Sequence, residues 1–444
     1  MFEAPVEWEV SSERYRVIAG GNFGLPQSTV DFCGRILAKS GLGERTAFPP
    51  GICDDPPHIR MADARAEAEH VLFTILDALF AANPNIPPAS IDILICNCSL
   101  FCPTPSLTSL LVHRYRLPST VQTYQLGGMG CSAGVIALHL ARDLLQVRRN
   151  VRCIVVSTEN ITQNIYLGAE QPMLVSNALF RCGGAALLLT NRWSDRWLTG
   201  GGLCRFVLRW TSRTHMGSDD ASYRCVYQME DEYGHRGVRL GKDLMAVAAR
   251  ALRVHVASVA HRLLSWREIV KYALFFILRL VALRLLSKPT SRTATTDDTQ
   301  PGGSAATDES MDAPLPKARP SLSASLLSSL HYTPSFSSST VHPCIHAGGS
   351  GVLVAIQAAL RLTDADMAVS RAVLWRYGNV SSASVFYELR MVDASRRRQS
   401  RGERTGGEIE GVPAGGRVLR RGECVWLLAF GSGFKVNSAL FEAL

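Results

Sequence analysis

Between residues 62 and 190 the sequence switches repeatedly between helical and extended periodicity, and few folds accommodate that alternation. Residues 62–82 set Val71, Leu72, Ile75, Leu76 and Leu79 at helical spacing. A Pro/Asn-rich turn from Asn83 to Pro88 leads into Ile91-Asp92-Ile93-Leu94-Ile95-Cys96, which reads as a buried strand. Helical sequence follows at 106–115, then a glycine-rich run, a helix from about Ser132 to Val147, and apolar strands at Val151–Ser157 and Ala185–Thr190. Strands alternating with helices predict an α/β fold whose largely parallel sheet is covered on both faces. Beyond it, a helix after Gly351, a strand at Ala372–Tyr377 and a closing strand at Cys424–Phe430 are expected.

A chain that is 47% hydrophobic and 19% charged buries a large core and is excluded from global disorder. Its net charge of +9 suits an acidic small molecule such as a coenzyme A ester, or an anionic membrane surface. Nucleic acid is not expected, because the basic residues are scattered and form no reading motif. Much of the surplus lies in Arg396-Arg397-Arg398 and Arg420-Arg421, which read as solvated faces. The 12 cysteines are irregularly spaced and imply no disulfide framework. Met1-Phe2-Glu3-Ala4-Pro5 opens without an apolar leader core, so a reducing compartment is expected and the sequons at Asn97, Asn160 and Asn379 read as coincidences.

Residues 269–286 are the most apolar stretch, yet they carry Lys271, Arg279 and Arg284. Three cations within one span are costly, so a helix lying in the membrane interface is expected, with a buried core helix as the alternative. Residues 287–329 are rich in Ser, Thr, Pro, Ala and Gly and read as a disordered insert; 395–417 reads as a second, Arg/Gly-rich loop.

Chemistry concentrates in a few places. Cys131 sits in Gly127-Gly128-Met129-Gly130-Cys131-Ser132-Ala133-Gly134, between extended sequence and a helix. At a helix N-terminus the free N–H groups favour a thiolate and depress its pKa, and the Cys131 amide can meet a developing oxyanion. Cys96, Cys98 and Cys102 form a C-x-C-x3-C cluster. No second pair at zinc spacing follows, so strand packing rather than metal is expected. His342 and His346 flank Cys344, and glycines follow His346 closely. His58, His70, His113 and His139 lack a supporting motif, and His215 is ambiguous. Asn379, about thirty residues beyond His346, completes a dispersed Cys–His–Asn set of the kind used in nucleophilic catalysis.

The motifs Asn97-Cys98-Ser99-Leu100-Phe101, Pro103-Thr104-Pro105-Ser106-Leu107, the run Leu126 to Gly134, and Ser157-Thr158-Glu159-Asn160-Ile161-Thr162 occur in that order. So do Phe180-Arg181-Cys182-Gly183-Gly184, Arg213-Thr214-His215, Cys225-Val226-Tyr227-Gln228, Cys344-Ile345-His346-Ala347-Gly348-Gly349, Gly378-Asn379 and Phe430-Gly431-Ser432-Gly433-Phe434-Lys435. Together they resemble the plant-type 3-ketoacyl-CoA synthases, the condensing enzymes of very-long-chain fatty acid elongation. The resemblance covers nearly the whole chain apart from 287–329, 395–417 and the first few residues.

The resemblance implies a thiolase-like fold, an αβαβα layered core of two similar halves at 1–235 and 236–444, usually as a homodimer. It assigns Cys131 as nucleophile and His346 and Asn379 as its catalytic partners, with His215 and His342 as further site histidines. Gly431-Ser432-Gly433 matches a glycine loop beside the site, whose amide would complete the oxyanion hole. The implied substrates are a long-chain acyl-CoA and malonyl-CoA, with no metal or other cofactor. The implied location is the endoplasmic reticulum membrane with the catalytic part facing the cytosol, among other elongase enzymes. Family members begin with two transmembrane helices not seen in this sequence; either a preceding segment supplies them or 269–286 reaches the membrane. The family's His-Arg-Phe-Gly-Asn is here Trp375-Arg376-Tyr377-Gly378-Asn379, a change expected to bear on efficiency or substrate positioning. A type III polyketide synthase and a non-catalytic elongase-complex paralogue are the competing expectations.

Overall fold

Buried on both faces, the β-branched runs of this chain need helices above and below them, and the fold supplies both. The computed structural model describes residues 1–197, 204–286, 332–338, 340–400 and 417–444. The chain forms two units, one of Met1–Leu263 with Ser337–Leu444 and the other of Leu264–Phe336. The expected insert at 287–329 lies outside the described residues, as does most of the expected loop at 395–417.

In the larger unit, β1 (Glu9–Val10) and β2 (Thr46–Ala47) pair near the N-terminus. The first main sheet comprises β3 (Ile93–Asn97), β4 (Gln122–Leu126), β5 (Arg152–Glu159) and β6 (Gly183–Thr190), in the order β4-β3-β5-β6. β3 is parallel to both neighbours, and β6 returns antiparallel to β5. β7 (Phe206–His215) then crosses into a second sheet, after which β8 (Val226–Glu230) and β9 (Arg236–Leu240) form a separate hairpin. The second sheet is completed by β10 (Val341–Ile345), β11 (Cys424–Gly431) and β12 (Lys435–Ala443), in the order β10-β11-β12-β7. β7 thus joins the second sheet although it precedes the 235/236 boundary expected from sequence.

Two helices fill the space between the sheets. Ala133–Val147 follows a 3-10 turn at Gly130–Ser132, and Ser384–Ser400 follows a 3-10 turn at Ser381–Ala383. The first packs on β3 and β5 of one sheet and on β7, β11 and β12 of the other; the second packs on β10 and β11. Helix Met61–Ala81 covers the outer face of the first sheet. On the outer face of the second, Leu244–Leu263 is pinned by buried His255, which bonds Thr214 Oγ1 at 2.9 Å and Ser438 Oγ at 2.7 Å. The result is the expected thiolase-like αβαβα layering, with the starts of the two central helices facing each other.

The contact between those starts is tight. A β-carbon at Gly134 would lie 2.5 Å from the Ser382 carbonyl oxygen and 2.9 Å from Phe386 Cε2. Beneath it, buried Asn97 donates to Ser157 Oγ at 2.6 Å and accepts from Ser382 Oγ at 2.7 Å, joining the two halves. Asn97, Asn160 and Asn379 are all buried, so the three sequon side chains serve the interior.

Ala372–Tyr377, expected as a strand, is the last part of helix Asp364–Tyr377. A reciprocal capping box between Thr363 and Asp366 starts that helix and commits the apolar residues after it. Residues 395–400, expected in a loop, continue helix Ser384–Ser400. In the smaller unit Trp266–Leu286 is helical, and Glu268 accepts from Lys271 Nζ and the Tyr332 hydroxyl while Phe275 stacks on Tyr332. Among the described residues no helix is long and apolar enough to cross a membrane.

Gly134→Ala tests the inter-helix contact. Alanine favours a helix by up to about 1 kcal/mol over glycine. Here the intruding methyl meets backbone, and a net loss of about 1–3 kcal/mol is expected. The readout is a lower urea midpoint at unchanged slope; an unchanged midpoint would mean that the two helix starts have room to spare.

Candidate active site

Cys131 lies in the 3-10 turn that opens the first central helix, where Gly128 and Gly130 take left-handed φ values of +65° and +67°. A β-carbon at Gly130 would lie 2.5 Å from the Ser432 amide nitrogen, and one at Gly431 would lie 2.8 Å from the Cys131 amide nitrogen. The loop Gly431-Ser432-Gly433 therefore presses backbone to backbone against the nucleophile turn. Only glycine permits that approach at both positions.

His346 follows β10, with its amide donating to Leu428 O at 2.9 Å and its ring edge-on to Phe430 at 5.2 Å. Asn379 is clipped to the segment before β6 by two backbone bonds, Arg181 N to Asn379 O at 2.9 Å and Asn379 N to Leu179 O at 3.3 Å. Its side chain donates to Gly348 O at 3.3 Å and accepts from Ser381 N at 2.9 Å. A β-carbon at Gly348 would lie 3.4 Å from His346 Nε2, so that nitrogen and the Asn379 amide flank the same glycine.

Cys131, His346, Asn379, His215 and Gly431-Ser432-Gly433 all border one cavity of about 740 Å3. The same cavity is also lined by Leu244, Ala248, Leu252 and Val256 of one helix and by Val352, Ala355, Ile356 and Ala359 of helix Ser350–Leu360. Each set repeats at three or four residues, so each helix lends a stripe.

His342 does not join them. It sits at the opposite end of β10 from His346, buried, with Nε2 2.8 Å from Glu423 Oε2, and it does not border the cavity. Four residues of extended chain separate the two histidines by roughly 13 Å. Trp375 also stays away: it is half-exposed on helix Asp364–Tyr377, with its indole and carbonyl against Gly43. The departure from His-Arg-Phe-Gly-Asn thus falls outside the cavity. Cys98 donates to Glu159 Oε1 at 3.3 Å and Cys96 is buried on β3, which is the strand packing expected of that cluster.

Two polar residues of the site carried no role in the sequence reading. Ser381 Oγ lies 3.6 Å from Cys131 Sγ and 3.0 Å from Glu159 Oε2, and its single proton can serve one of them at a time. Glu159, fully buried, also accepts from Leu100 N at 2.9 Å and Ser99 N at 3.3 Å. Burial raises its pKa, and those donors oppose the rise. Glu159 stands inside the Ser157–Thr162 motif and Ser381 two residues after Asn379, but their contact spans 222 positions.

The electrostatics differ from the sequence expectation of a depressed thiol. Burial pushes Cys131 up to about 12, with the Ser381 hydroxyl acting against it and Glu159 adding to it. Burial likewise pushes His346 down to about 3, and its Nδ1 has no partner among the described residues. The helix start is too weak an effect to overcome that desolvation. The resting pair is therefore a neutral thiol and a neutral imidazole.

The comparisons with known proteins agree with this geometry. Residues 1–281 match the model of the FAE1/type III polyketide synthase-like proteins, and residues 335–443 match the C-terminal domain of the chalcone and stilbene synthases. The chain belongs to the FAE1/type III polyketide synthase-like family. Its relatives include 3-ketoacyl-CoA synthase 4 of Arabidopsis thaliana, 41% identical over 417 residues, or 94% of this chain and 67% of that one. 3-Ketoacyl-CoA synthase 5 of the same plant is 40% identical over 430 residues, or 97% and 72%. Among solved structures, the C-terminal type III polyketide synthase domain of Steely1 from Dictyostelium superposes with a TM-score of 0.65 over 98% of this chain and 95% of that one. At 16% identity that likeness concerns the fold.

A neutral resting thiol predicts the pH dependence of its alkylation. Because the thiolate is the reactive form, modification of Cys131 by iodoacetamide, followed by peptide mass spectrometry, should rise about tenfold per pH unit between pH 6 and 9. A plateau below pH 7 would instead reveal a standing thiolate–imidazolium pair.

Proposed function

We propose that the chain is a very-long-chain 3-oxoacyl-CoA synthase, joining malonyl-CoA to a long-chain acyl-CoA through an acyl group on Cys131. The observation that carries this reading is the lining of one cavity, which combines a nucleophile, a histidine and an asparagine with apolar stripes from two helices. Relatives named 3-ketoacyl-CoA synthase, matched along nearly the whole chain, support the same reaction.

In the first half-reaction the Cys131 sulfur attacks the thioester carbonyl, a C–S bond forms, and the bond to coenzyme A breaks. His346 relays the thiol proton, which leaves on the CoA sulfur. With the thiol held near 12 and the imidazole near 3, that proton moves in step with attack rather than before it. The oxyanion faces the Cys131 amide and the glycine loop, donors fixed before the reaction begins. The apolar wall takes the acyl chain.

In the second half-reaction malonyl-CoA occupies the vacated space, and His346 Nε2–H and Asn379 Nδ2–H meet its thioester oxygen. Loss of CO2 leaves an enolate there, stabilised by those two donors away from bulk water. Its carbon attacks the acyl-cysteine carbonyl, a C–C bond forms, and the Cys131–acyl bond breaks. The sulfur takes a proton from solvent, so acyl-CoA, malonyl-CoA and H+ become 3-oxoacyl-CoA, CoA and CO2. No metal or cofactor is required by this scheme.

Membrane association belongs to the same reading. Helix Trp266–Leu286 exposes Ile269, Val270, Leu274, Ile277, Leu280 and Val281 together with Lys271 and Arg279, a pattern suited to the interface of an anionic bilayer such as that of the endoplasmic reticulum. A homodimer is also proposed, supported by the outer edge of β4, which has no partner strand among the described residues.

Radiolabelled long-chain acyl-CoA should load onto the protein and be discharged by malonyl-CoA as a product extended by one two-carbon step. Cys131→Ala should abolish loading; stable label on that variant would remove Cys131 from its role. Asn379→Asp should load but extend at least about a hundredfold more slowly, the scale of losing a preorganised donor, whereas His346→Gln should slow loading and extension alike. Several extensions per turnover would point to polyketide chemistry instead.

A further inference from the structure

Two basic residues, His215 and Lys435, border the cavity with the charge of Arg213 close to both, and the reaction as described uses none of this charge. Lys435 opens β12 directly opposite His215, the last residue of β7, while Arg213 sits two positions before His215 on the same face of the sheet. The heads of Lys435 and His215 converge on Gly433, whose φ is +101°. A β-carbon there would lie 2.8 Å from Lys435 Nζ and 3.9 Å from His215 Nε2. Lys435 Nζ donates to Ser432 O at 2.8 Å, one residue from the glycine that touches the Cys131 amide. His215 Nδ1 accepts from Gly217 N at 3.1 Å, which leaves Nε2 as the protonated nitrogen on the Gly433 side.

The cluster has no anion of its own. None of the three forms an ion pair among the described residues; Asp219, four residues after His215, pairs with Arg250, and Glu159 of the same cavity is held by its own backbone, thiol and hydroxyl donors. Basic side chains placed opposite one another across a strand pair repel. The repulsion registers in the site, since burial and the Arg213 charge both lower the Lys435 pKa, and burial, Lys435 and Arg213 lower that of His215. Such an arrangement is stabilised when an anion arrives.

We propose that Lys435, with His215 Nε2–H and Arg213 beside it, docks the free carboxylate of the malonyl thioester. The inference rests on the condensation reaction assigned above. Lys435 and His215 border the same cavity as Cys131, whereas a CoA phosphate lies a full pantetheine arm away from the thioester. The carboxylate departs as neutral CO2, so the attraction is spent on binding and on choosing a carboxylated ester over a plain one. The carboxylate keeps most of its charge until the C–C bond breaks, so the cation holds the bound ester and its early transition state alike. Loss of the cation should therefore fall on KM rather than kcat.

The test uses the full chain carrying Lys435→Met, Lys435→Arg or Arg213→Gln, and follows loading of Cys131 and extension by malonyl-CoA separately. For Lys435→Met the KM for malonyl-CoA should rise about ten- to a hundredfold, the range of a charge-assisted hydrogen bond. The loading rate and kcat should change far less, and Lys435→Arg should recover most of the loss. Acetyl-CoA, which lacks the carboxylate, serves as a competing ligand whose affinity should barely move. An unchanged malonyl-CoA KM overturns the proposal, and so does equal weakening of both esters, which would assign the cation to the CoA phosphates. Equal damage to loading and extension in Met and Arg variants alike would make Lys435 a structural residue. Failure of the unaltered protein to load at all would instead sink the reaction itself, and this inference with it.

Discussion

One buried carboxyl group organises the reacting end of the molecule. Glu159 ends β5 with no cation beside it, and its oxygens gather Ser99 N, Leu100 N, the Cys98 thiol and the Ser381 hydroxyl. A buried carboxyl is tolerated only when donors surround it, and these donors come from both halves of the chain. Satisfying Glu159 therefore brings Ser381 to the sulfur of Cys131, and with Ser381 comes the turn that follows Asn379. A second buried carboxyl lies within the first half: Glu67, on the buried face of helix Met61–Ala81, accepts from Ile161 N and Thr162 N at 2.9 Å each, and burial pushes it up to about 7.

Around that carboxyl the architecture repeats itself. In each half a short 3-10 segment starts a central helix, after β4 in the first and after helix Asp364–Tyr377 in the second, and the two segments, Gly130–Ser132 and Ser381–Ala383, meet. One of them carries the nucleophile and the other follows the asparagine. Close approach is bought with glycine at 130, 134 and 431, where a β-carbon would collide with backbone atoms of the facing segment. The catalytic groups are thus held by main chain rather than by long side chains, which keeps them rigid without ordering entropy at the moment of reaction.

Much of this was legible in the chain. The helix and strand pattern from 61 to 190 matches closely, because each element there is long enough to show its period and is bounded by glycine, proline or a cap. Cys131, His346 and Asn379 were recognisable from motifs, and the fold gathers them around one cavity. The misreadings have local causes. Ala372–Tyr377 looks extended when taken alone, and the capping box that makes it helical begins nine residues before it, at Thr363. His342 lies close to His346 in sequence, but an extended strand carries it to the far end of the sheet. The thiol's environment was misjudged because a helix N-terminus can be read from sequence, whereas the desolvation that outweighs it depends on the assembled cavity. Lys435 and His215 come together only through strand register.

The two helices that line the cavity with apolar stripes have a consequence for how such enzymes diversify. Leu244, Ala248, Leu252 and Val256 mark successive turns, each about 5.4 Å along, and Ala355 and Ala359 do the same on the facing helix. They work as graduations on a ruler. Enlarging one alanine would close the channel at that mark, and shrinking a leucine would open it to the next, while the catalytic turns, carried on other segments, stay as they are. Preference for chain length can therefore drift by single substitutions without any change in the chemistry.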